Sequence, residues 1–329
     1  MRESTVENVS YIQAVNRALE WSLEQYDSTF IIGEDIGSPG GPFGATKNLH
    51  KNYGAKRVID TPISEGAFIG MSLGSAMTGL RPIAEIMYAD FMFVALDQVI
   101  NQIANSRYSS AGRWAAPLVI RTQQGYNPGS CAQHSHSIEA YLAHTPGIRI
   151  AIPSTADDAY QMIRTSVESD DPVLVLEARS LYPMKGPVNF DSPVQKMGGA
   201  KIRREGADVT VVSWSRMVSE SLDAAEILAE QGIDVEVVDI RWISPLDFDT
   251  VWNSVAKTGR LAIAHEANVA GGFGAEIAAR AAAECLSHLK APIVRVGAPN
   301  VPVPAAPSLQ AVVIPGVKDV VNAVRLMYS

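Results

Sequence analysis

Short apolar runs rich in β-branched residues alternate with helix-like stretches along nearly the whole chain. In the first half the strand-like runs are Thr29–Gly33, Pro82–Met87, Pro117–Arg121, Ile148–Ile152 and Pro172–Glu177. Helical patterns lie between them at Tyr11–Tyr26, Gly66–Met77, Val94–Tyr108 and Ala156–Ser169. Strand–helix–strand alternation of this kind builds a mostly parallel sheet covered on both faces. The segment Tyr182–Gln195 breaks the rhythm. It carries Pro183, Pro187 and Pro193 among Gly, Asn, Asp and Ser, and it reads as an extended linker. Alternation then restarts, with strands expected at Asp208–Trp214, Asp234–Ile240, Arg260–His265 and Pro292–Val296. Helices are expected at Ser219–Gln231, Phe248–Lys257, Gly274–Leu289 and Val317–Met327, and Pro299–Pro307 reads as a surface loop. The pattern predicts an α/β protein with two doubly wound domains, the second and smaller one beginning near residue 197.

Composition narrows the function classes. A length of 329 residues suits two domains, and 47% hydrophobic with 19% charged residues is ordinary for a globular protein. The net charge of −8 and the lack of any Lys/Arg block argue against a nucleic-acid partner, which needs a basic patch. The two cysteines, Cys131 and Cys285, are far apart and lack metal-ligand spacing, so they read as reduced thiols of a cytoplasmic protein. The first residues contain no apolar signal core, and no uncharged apolar stretch is long enough to span a bilayer.

Candidate chemistry gathers where the strands end, which is where open parallel sheets bind ligands. Glu65 stands in Asp60-Thr-Pro-Ile-Ser-Glu-Gly-Ala-Phe-Ile-Gly70, after a Pro-containing turn and at the head of an apolar, Gly-rich helix. A carboxylate there can complement the helix dipole. Among apolar neighbours such as Ile63, Phe68 and Ile69 it can also hold a raised pKa and trade a proton near neutral pH. Glu34 and Asp35 precede the Gly/Pro run Gly37–Phe43. That pair suits a metal, a subunit interface or a plain turn. Tyr88-Ala-Asp-Phe-Met-Phe93 sets aromatics on both sides of Asp90, fit to stack on a heterocycle or simply to pack. The stretch Gln123–Ser137 is a long polar loop ending in His134-Ser-His-Ser137, with two of the six histidines. Long loops tend to be functional, and imidazoles carry protons near pH 7. If the segment is extended, His134 and His136 share one side. Ala270-Gly-Gly-Phe-Gly274 enters a helix and suits either an anion or a tight turn. No P-loop, no dinucleotide fingerprint after a strand and no H-E-x-x-H zinc motif occurs.

Taken in order, these segments resemble the β subunit of the thiamine-diphosphate-dependent (ThDP) 2-oxoacid dehydrogenase E1 component. The motifs are Gly33-Glu-Asp-Ile-Gly37, Asp60-Thr-Pro-Ile-Ser-Glu65, Glu85-Ile86 with Ala89-Asp-Phe91, Asp97-Gln98 and Gln133-His-Ser135. Ala143-His-Thr-Pro-Gly147, Ile152-Pro-Ser-Thr155, Asp171-Pro-Val173, Val238-Asp-Ile-Arg241, Ser244-Pro-Leu-Asp247, Lys257-Thr-Gly-Arg260 and His265-Glu-Ala267 continue it to the C-terminal part. Phe43–Thr46, Glu85–Tyr88 and Arg121–Gly125 lean toward the acetoin dehydrogenase type. The resemblance implies a transketolase-like pyrimidine-binding domain over residues 1–185, a linker over 186–196 and a transketolase C-terminal domain over 197–329.

The same resemblance implies roles. Glu65 matches the glutamate that hydrogen-bonds the cofactor's pyrimidine, Ile63 an apolar lining residue and Phe91 the aromatic packed on that ring. His134 matches a histidine near the reacting carbon, as proton donor or orienter of lipoyl transfer. Glu34, Asp90 and Gln98 shape the pocket or interface. ThDP would be shared with an α subunit in an α₂β₂ heterotetramer. Mg²⁺ would be held mainly by that subunit, because this chain lacks Gly-Asp-Gly and shows no metal-ligand set of its own. K⁺ is a further candidate ion, and a lipoyl-bearing E2 core a further candidate partner. The expected reaction is decarboxylation of a 2-oxo acid, or cleavage of acetoin, with transfer of the acyl unit to the lipoyl arm. The alternatives are the C-terminal half of a split transketolase, a ThDP-dependent carboligase of specialised metabolism, or a scaffold subunit with a dead site. Three departures bear on substrate and acceptor: His136 in place of Gln, Met87-Tyr88 in place of Gln-Phe, and a bulky Val211-Val-Ser-Trp-Ser-Arg216 after a strand.

Overall fold

Ser10 caps the helix Tyr11–Gln25 through a capping box with Gln13, and Thr155 caps Ala156–Glu168 by accepting the Asp158 N–H at 3.1 Å. The first helix buries Ala14, Val15, Ala18 and Leu19 at helical spacing and packs against the second. Both lie over the sheet of the first of two compact units, which comprises the chain up to Gln124 and Tyr141–Met197. The computed structural model describes residues 6–328.

The strands of this unit are β1 (Val6–Ser10), β2 (Thr29–Gly33), β3 (Val58–Asp60), β4 (Arg81–Ile86), β5 (Val119–Gln124), β6 (Arg149–Ala151), β7 (Val173–Ala178) and β8 (Lys185–Asn189). Six of them form a parallel sheet in the order β6-β7-β5-β4-β2-β3. Every residue of β2, β5 and β7 is buried, as strands covered on both faces require. β1 and β8 pair separately and antiparallel, Val6 opposite Asn189 and Ser10 opposite Lys185.

The second unit comprises Gly125–Ala140 and the chain from Gly198 on. Its strands are β9 (Lys201–Arg204), β10 (Val209–Ser213), β11 (Val235–Asp239), the three-residue β12 (Trp242–Ser244), β13 (Leu261–Asn268) and β14 (Val294–Ala298). Five of these form a sheet in the order β14-β13-β10-β11-β9, parallel except for the edge strand β9. One face is closed by helices Met217–Ala229 and Val317–Arg325, whose Ala224, Leu228, Val320 and Val324 join Val211, Val237 and Ala264 in a common core.

Two expectations about elements need correction. Within the expected linker Tyr182–Gln195, Lys185–Asn189 is a strand, β8, despite Pro187. A proline is tolerated there because the ribbon has only two strands and one edge of β8 needs no ladder partner. The helix expected over Val94–Tyr108 is instead a 3₁₀ turn Ala89–Ala95, a π-helical stretch Asp97–Ile103 and a short α turn Ser106–Ser109. A wide turn appears where Ala104 N–H reaches the carbonyl of Val99, five residues back, at 3.0 Å, and the Asn105 side-chain amide donates to the Ile100 carbonyl at 2.9 Å.

Candidate active site

Glu65 is the first residue of the helix Glu65–Met77 and is only 5% exposed. Glu34 follows β2, the neighbour of β3 in the sheet, and accepts the backbone N–H of Ser64 at 3.3 Å. Its carboxyl pKa is raised, first by burial and then by the charge of Glu65, so the two acids sense one another. The connection is built tightly. Thr61 N–H donates to Gly33 O at 3.0 Å, and Gly37 N–H donates to Asp60 Oδ1 at 2.7 Å. A Cβ at Gly37 would overlap that carboxylate, which is why glycine occupies the position. Phe68 and Ile69 are buried behind Glu65, whereas Ile63, expected as an apolar wall, is 85% exposed.

Phe91 stands in the 3₁₀ turn after β4, held edge-on to Tyr88 with centroids 5.6 Å apart. Tyr88 is itself fixed, for Arg179 Nη1 donates to its Oη at 2.7 Å while the guanidinium lies 4.1 Å over Phe43. Beneath these aromatics runs a polar network that the sequence reading missed. Arg121 on β5 is fully buried, donates to Glu177 on β7 through two N–H groups at 2.8 Å each, and also pairs with Glu85 on β4. Tyr182 Oη donates to Glu177 at 2.6 Å, and Tyr11 stacks on Tyr182. Burial raises Glu85 despite Arg121, and it pushes the Tyr11 and Tyr182 phenols well up. The signal was a charge inside each of three buried strands: Glu85 pairs Arg121 in register, and Glu177 pairs Gln123 on the same face as Arg121.

His134 belongs to the second unit, on the segment Gly125–Ala140. It ends the 3₁₀ turn Ala132–His134 and is half-buried. Ser135 then turns (φ −143°, ψ 12°), and the His136 carbonyl accepts Gly125 N–H at 3.0 Å. The segment is therefore not extended, and the condition under which His134 and His136 would share one side is not met. At its start Tyr126 N–H donates to Glu266, which pairs with Arg216 Nε at 2.5 Å. At its end Glu139 accepts Trp214 Nε1–H at 3.2 Å.

Other candidates resolve into packing. Gly272 and Gly274 of the Gly-rich turn let the chain press on the buried His265 ring, where added Cβ atoms would stand 2.8 Å and 2.7 Å from ring carbons. The sequence reading expects no G-x-S-x-G nucleophile elbow; Gly70-Met-Ser-Leu-Gly74 does have that spacing, but it lies inside a helix. Its Ser72 is buried and donates to Phe68 O at 2.8 Å, so it is a packing residue.

Residues 7–185 match the model of the transketolase pyrimidine-binding domain, and 198–320 that of the transketolase C-terminal domain. The chain is 40% identical to the 2-oxoisovalerate dehydrogenase subunit beta of Bacillus subtilis (strain 168), covering 92% of this chain and 93% of that one. It is 39% identical to the pyruvate dehydrogenase E1 component subunit beta of Leifsonia xyli subsp. xyli, over 98% and 95%. This chain belongs to the E1 β-subunit family of ThDP-dependent 2-oxoacid and acetoin dehydrogenases. This E1 β subunit is also 38% identical to the acetoin:2,6-dichlorophenolindophenol oxidoreductase subunit beta of Cupriavidus necator, over 95% of each chain, so identity does not separate the substrate classes. Its fold is that of a solved split-gene transketolase, an inactive beta4 tetramer, at TM-score 0.79, 23% identity and 98% coverage of both chains. The pyrimidine-binding domain is the module that binds ThDP in E1 enzymes, and E1 β subunits pair with E1 α subunits. Among the described residues no helix is long and apolar enough to cross a membrane.

Proposed function

We propose that this chain supplies the pyrimidine-holding half of an α₂β₂ E1 enzyme that decarboxylates a 2-oxo acid, or cleaves acetoin, and passes the acyl unit to a lipoyl arm of an E2 core. The observation that carries the reading is Glu65, a carboxylate buried at the head of a helix beside Glu34, whose own pKa is raised by burial and by the Glu65 charge. Such a pair suits an aminopyrimidine, whose ring nitrogen needs an acidic hydrogen-bond partner in a dry place. When bound, ThDP would supply the electron sink for breaking the bond beside the carbonyl.

The chain's own residues then have definite tasks. Glu65 would hold the ring nitrogen by a hydrogen bond, and Glu34, bonded to the Ser64 N–H, would shape the pocket beside it. Phe91, braced by Tyr88, would pack on the ring, and the exposed Ile63 offers it an apolar contact. His134 would donate a proton or orient the acceptor during acyl transfer. Diphosphate and Mg²⁺ fall to the α subunit on this reading. Among the described residues no group of three or more His, Cys, Asp or Glu could hold a metal ion. We read residues 1–185, 186–196 and 197–329 as pyrimidine-binding domain, linker and C-terminal domain. The free thiols Cys131 and Cys285 fit a cytoplasmic enzyme.

The test is co-expression with an E1 α subunit and assay of ThDP- and Mg²⁺-dependent reduction of an artificial electron acceptor. Pyruvate, branched-chain 2-oxo acids and acetoin are offered in turn. Turnover of one of them, lost without the α subunit and reduced about 10²–10⁴-fold by Glu65→Gln, is the expected result. Silence across the panel in a stable ThDP-loaded complex would point instead to a split transketolase or carboligase.

A further inference from the structure

The bulky segment after β10, Trp214-Ser-Arg216, has no place in the cofactor reading, and neither does Glu266 on β13. β10 and β13 are adjacent parallel strands, with Ser213 opposite Ala264. Their carboxyl ends are where a doubly wound sheet ordinarily gathers its ligand. In this unit the same edge receives the chain's own segment Gly125–Ala140 at both of its ends.

At the near end Glu266 accepts the Tyr126 N–H, and Gly125, at φ +80°, leaves no room for a Cβ beside the same carboxylate. Glu266 is fixed in turn by Arg216, whose other nitrogens donate to Glu220 at 2.6 Å and to Pro315 O at 2.8 Å. At the far end the fully buried Trp214 donates to the buried Glu139 and stacks on His265 at 5.1 Å. Midway, the buried Gln310 donates to Ser130 O at 2.8 Å. Apart from the single turn Ala132–His134, the segment has no secondary structure before Glu139. A few internal bonds, Gly125 N–H to His136 O at 3.0 Å among them, shape the segment, and the anchors at its ends seat it on the sheet.

We propose that Glu266, held by Arg216, and Trp214 are positioning residues for the histidine-bearing segment: they seat its two ends on the second unit and so fix the backbone from which His134 projects. A charge-assisted hydrogen bond at one end and an indole N–H to a buried carboxylate at the other are directional contacts, stronger than an ordinary loop has. The catalytic half of this proposal rests on the role given to His134 above. The structural half does not.

Both halves are tested in the α/β complex loaded with ThDP and Mg²⁺. Amide hydrogen exchange is measured for wild type, Glu266→Ala, Glu266→Gln and Trp214→Phe. Glu266→Ala is expected to speed exchange over residues 125–136 by about tenfold or more while leaving β2 and β4 unchanged. Glu266→Gln keeps an acceptor for Tyr126 and is expected to restore most of the protection. Trp214→Phe keeps a ring but loses the donor, and its effect is expected nearer Glu139. Unchanged exchange over the segment in Glu266→Ala would overturn the proposal outright. Acyl-transfer kcat is then measured for Glu266→Ala, His134→Ala and the double variant. If Glu266 acts through His134, the double variant loses no more than His134→Ala alone. Losses that multiply would overturn the positioning role. Full activity in His134→Ala would overturn the role of the histidine itself, while the exchange result decides whether the ends are anchored.

Discussion

His265 illustrates how a residue can look catalytic and be structural. It is fully buried, its Nδ1 faces Ala267 O at 3.1 Å, and its Nε2 has no hydrogen-bond partner. Desolvation therefore lowers its pKa from 6.5 to about 4, and at pH 7 it is a neutral ring stacked on Trp214. Because the folded-state pKa lies below the unfolded one, the folded state is favoured above pH 6.5 and loses that advantage as pH falls toward 4. The loss amounts to about 3 kcal/mol when complete. Urea unfolding at pH 7.5 and pH 5 should show this drop in the wild type and a smaller one in His265→Phe; equal drops would refute it. Glu65, by contrast, stood out in the sequence as a candidate because a lone carboxylate lay among apolar residues at a helix head, where the structure buries it. Its companion Glu34 stood out only as one of two adjacent acids before a Gly/Pro run, since what joins it to Glu65 is a turn that sequence spacing does not encode.

Among the elements, the buried parallel strands were readable from short runs rich in apolar and β-branched residues, which burial on both faces favours. β2, β4, β5 and β7 fall within two or three residues of their expected bounds. β1, β3 and β9 were not readable, being short and partly exposed, so their pairing is set by partners distant in the chain. The Glu85–Arg121–Glu177 network was hidden for the same reason, because it exists only once β4, β5 and β7 lie side by side. Its energetics are checkable. Arg121→Met strands two carboxylates in the core, and we expect a loss of about 3–5 kcal/mol at pH 7. Glu85 already has a raised pKa, so protonation should relieve part of that loss as pH falls. Chemical denaturation at pH 7 and pH 5 would show it; a deficit that does not shrink at pH 5 would mean the cost comes from packing alone.

For the molecule as a whole, the first unit leaves Ile63, Val94, Tyr108 and Tyr141 largely exposed, at 85, 66, 90 and 60%. Large apolar side chains in water are unremarkable singly, but an E1 β subunit functions with partners that can cover them. We therefore expect the chain expressed alone to self-associate and the chain co-expressed with its α subunit to run as a single heterotetramer. Light scattering coupled to size exclusion distinguishes the two; a stable, monodisperse monomer of the lone chain would contradict the expectation.

The segment carrying His134 has a consequence for how the protein is made. Tyr126 and the Glu266 that anchors it are separated by 140 residues. At about 5–20 residues per second, a ribosome takes roughly 7–28 s to deliver the second after the first. Through that interval β5 and β7 can pair and the first sheet can form, yet the stretch between them has nowhere to dock. Assembly of the histidine's support thus waits for the second unit rather than being a step of local folding. A chain arrested before β13 would carry a formed first sheet and an unseated segment, a distinct target for chaperones or proteases.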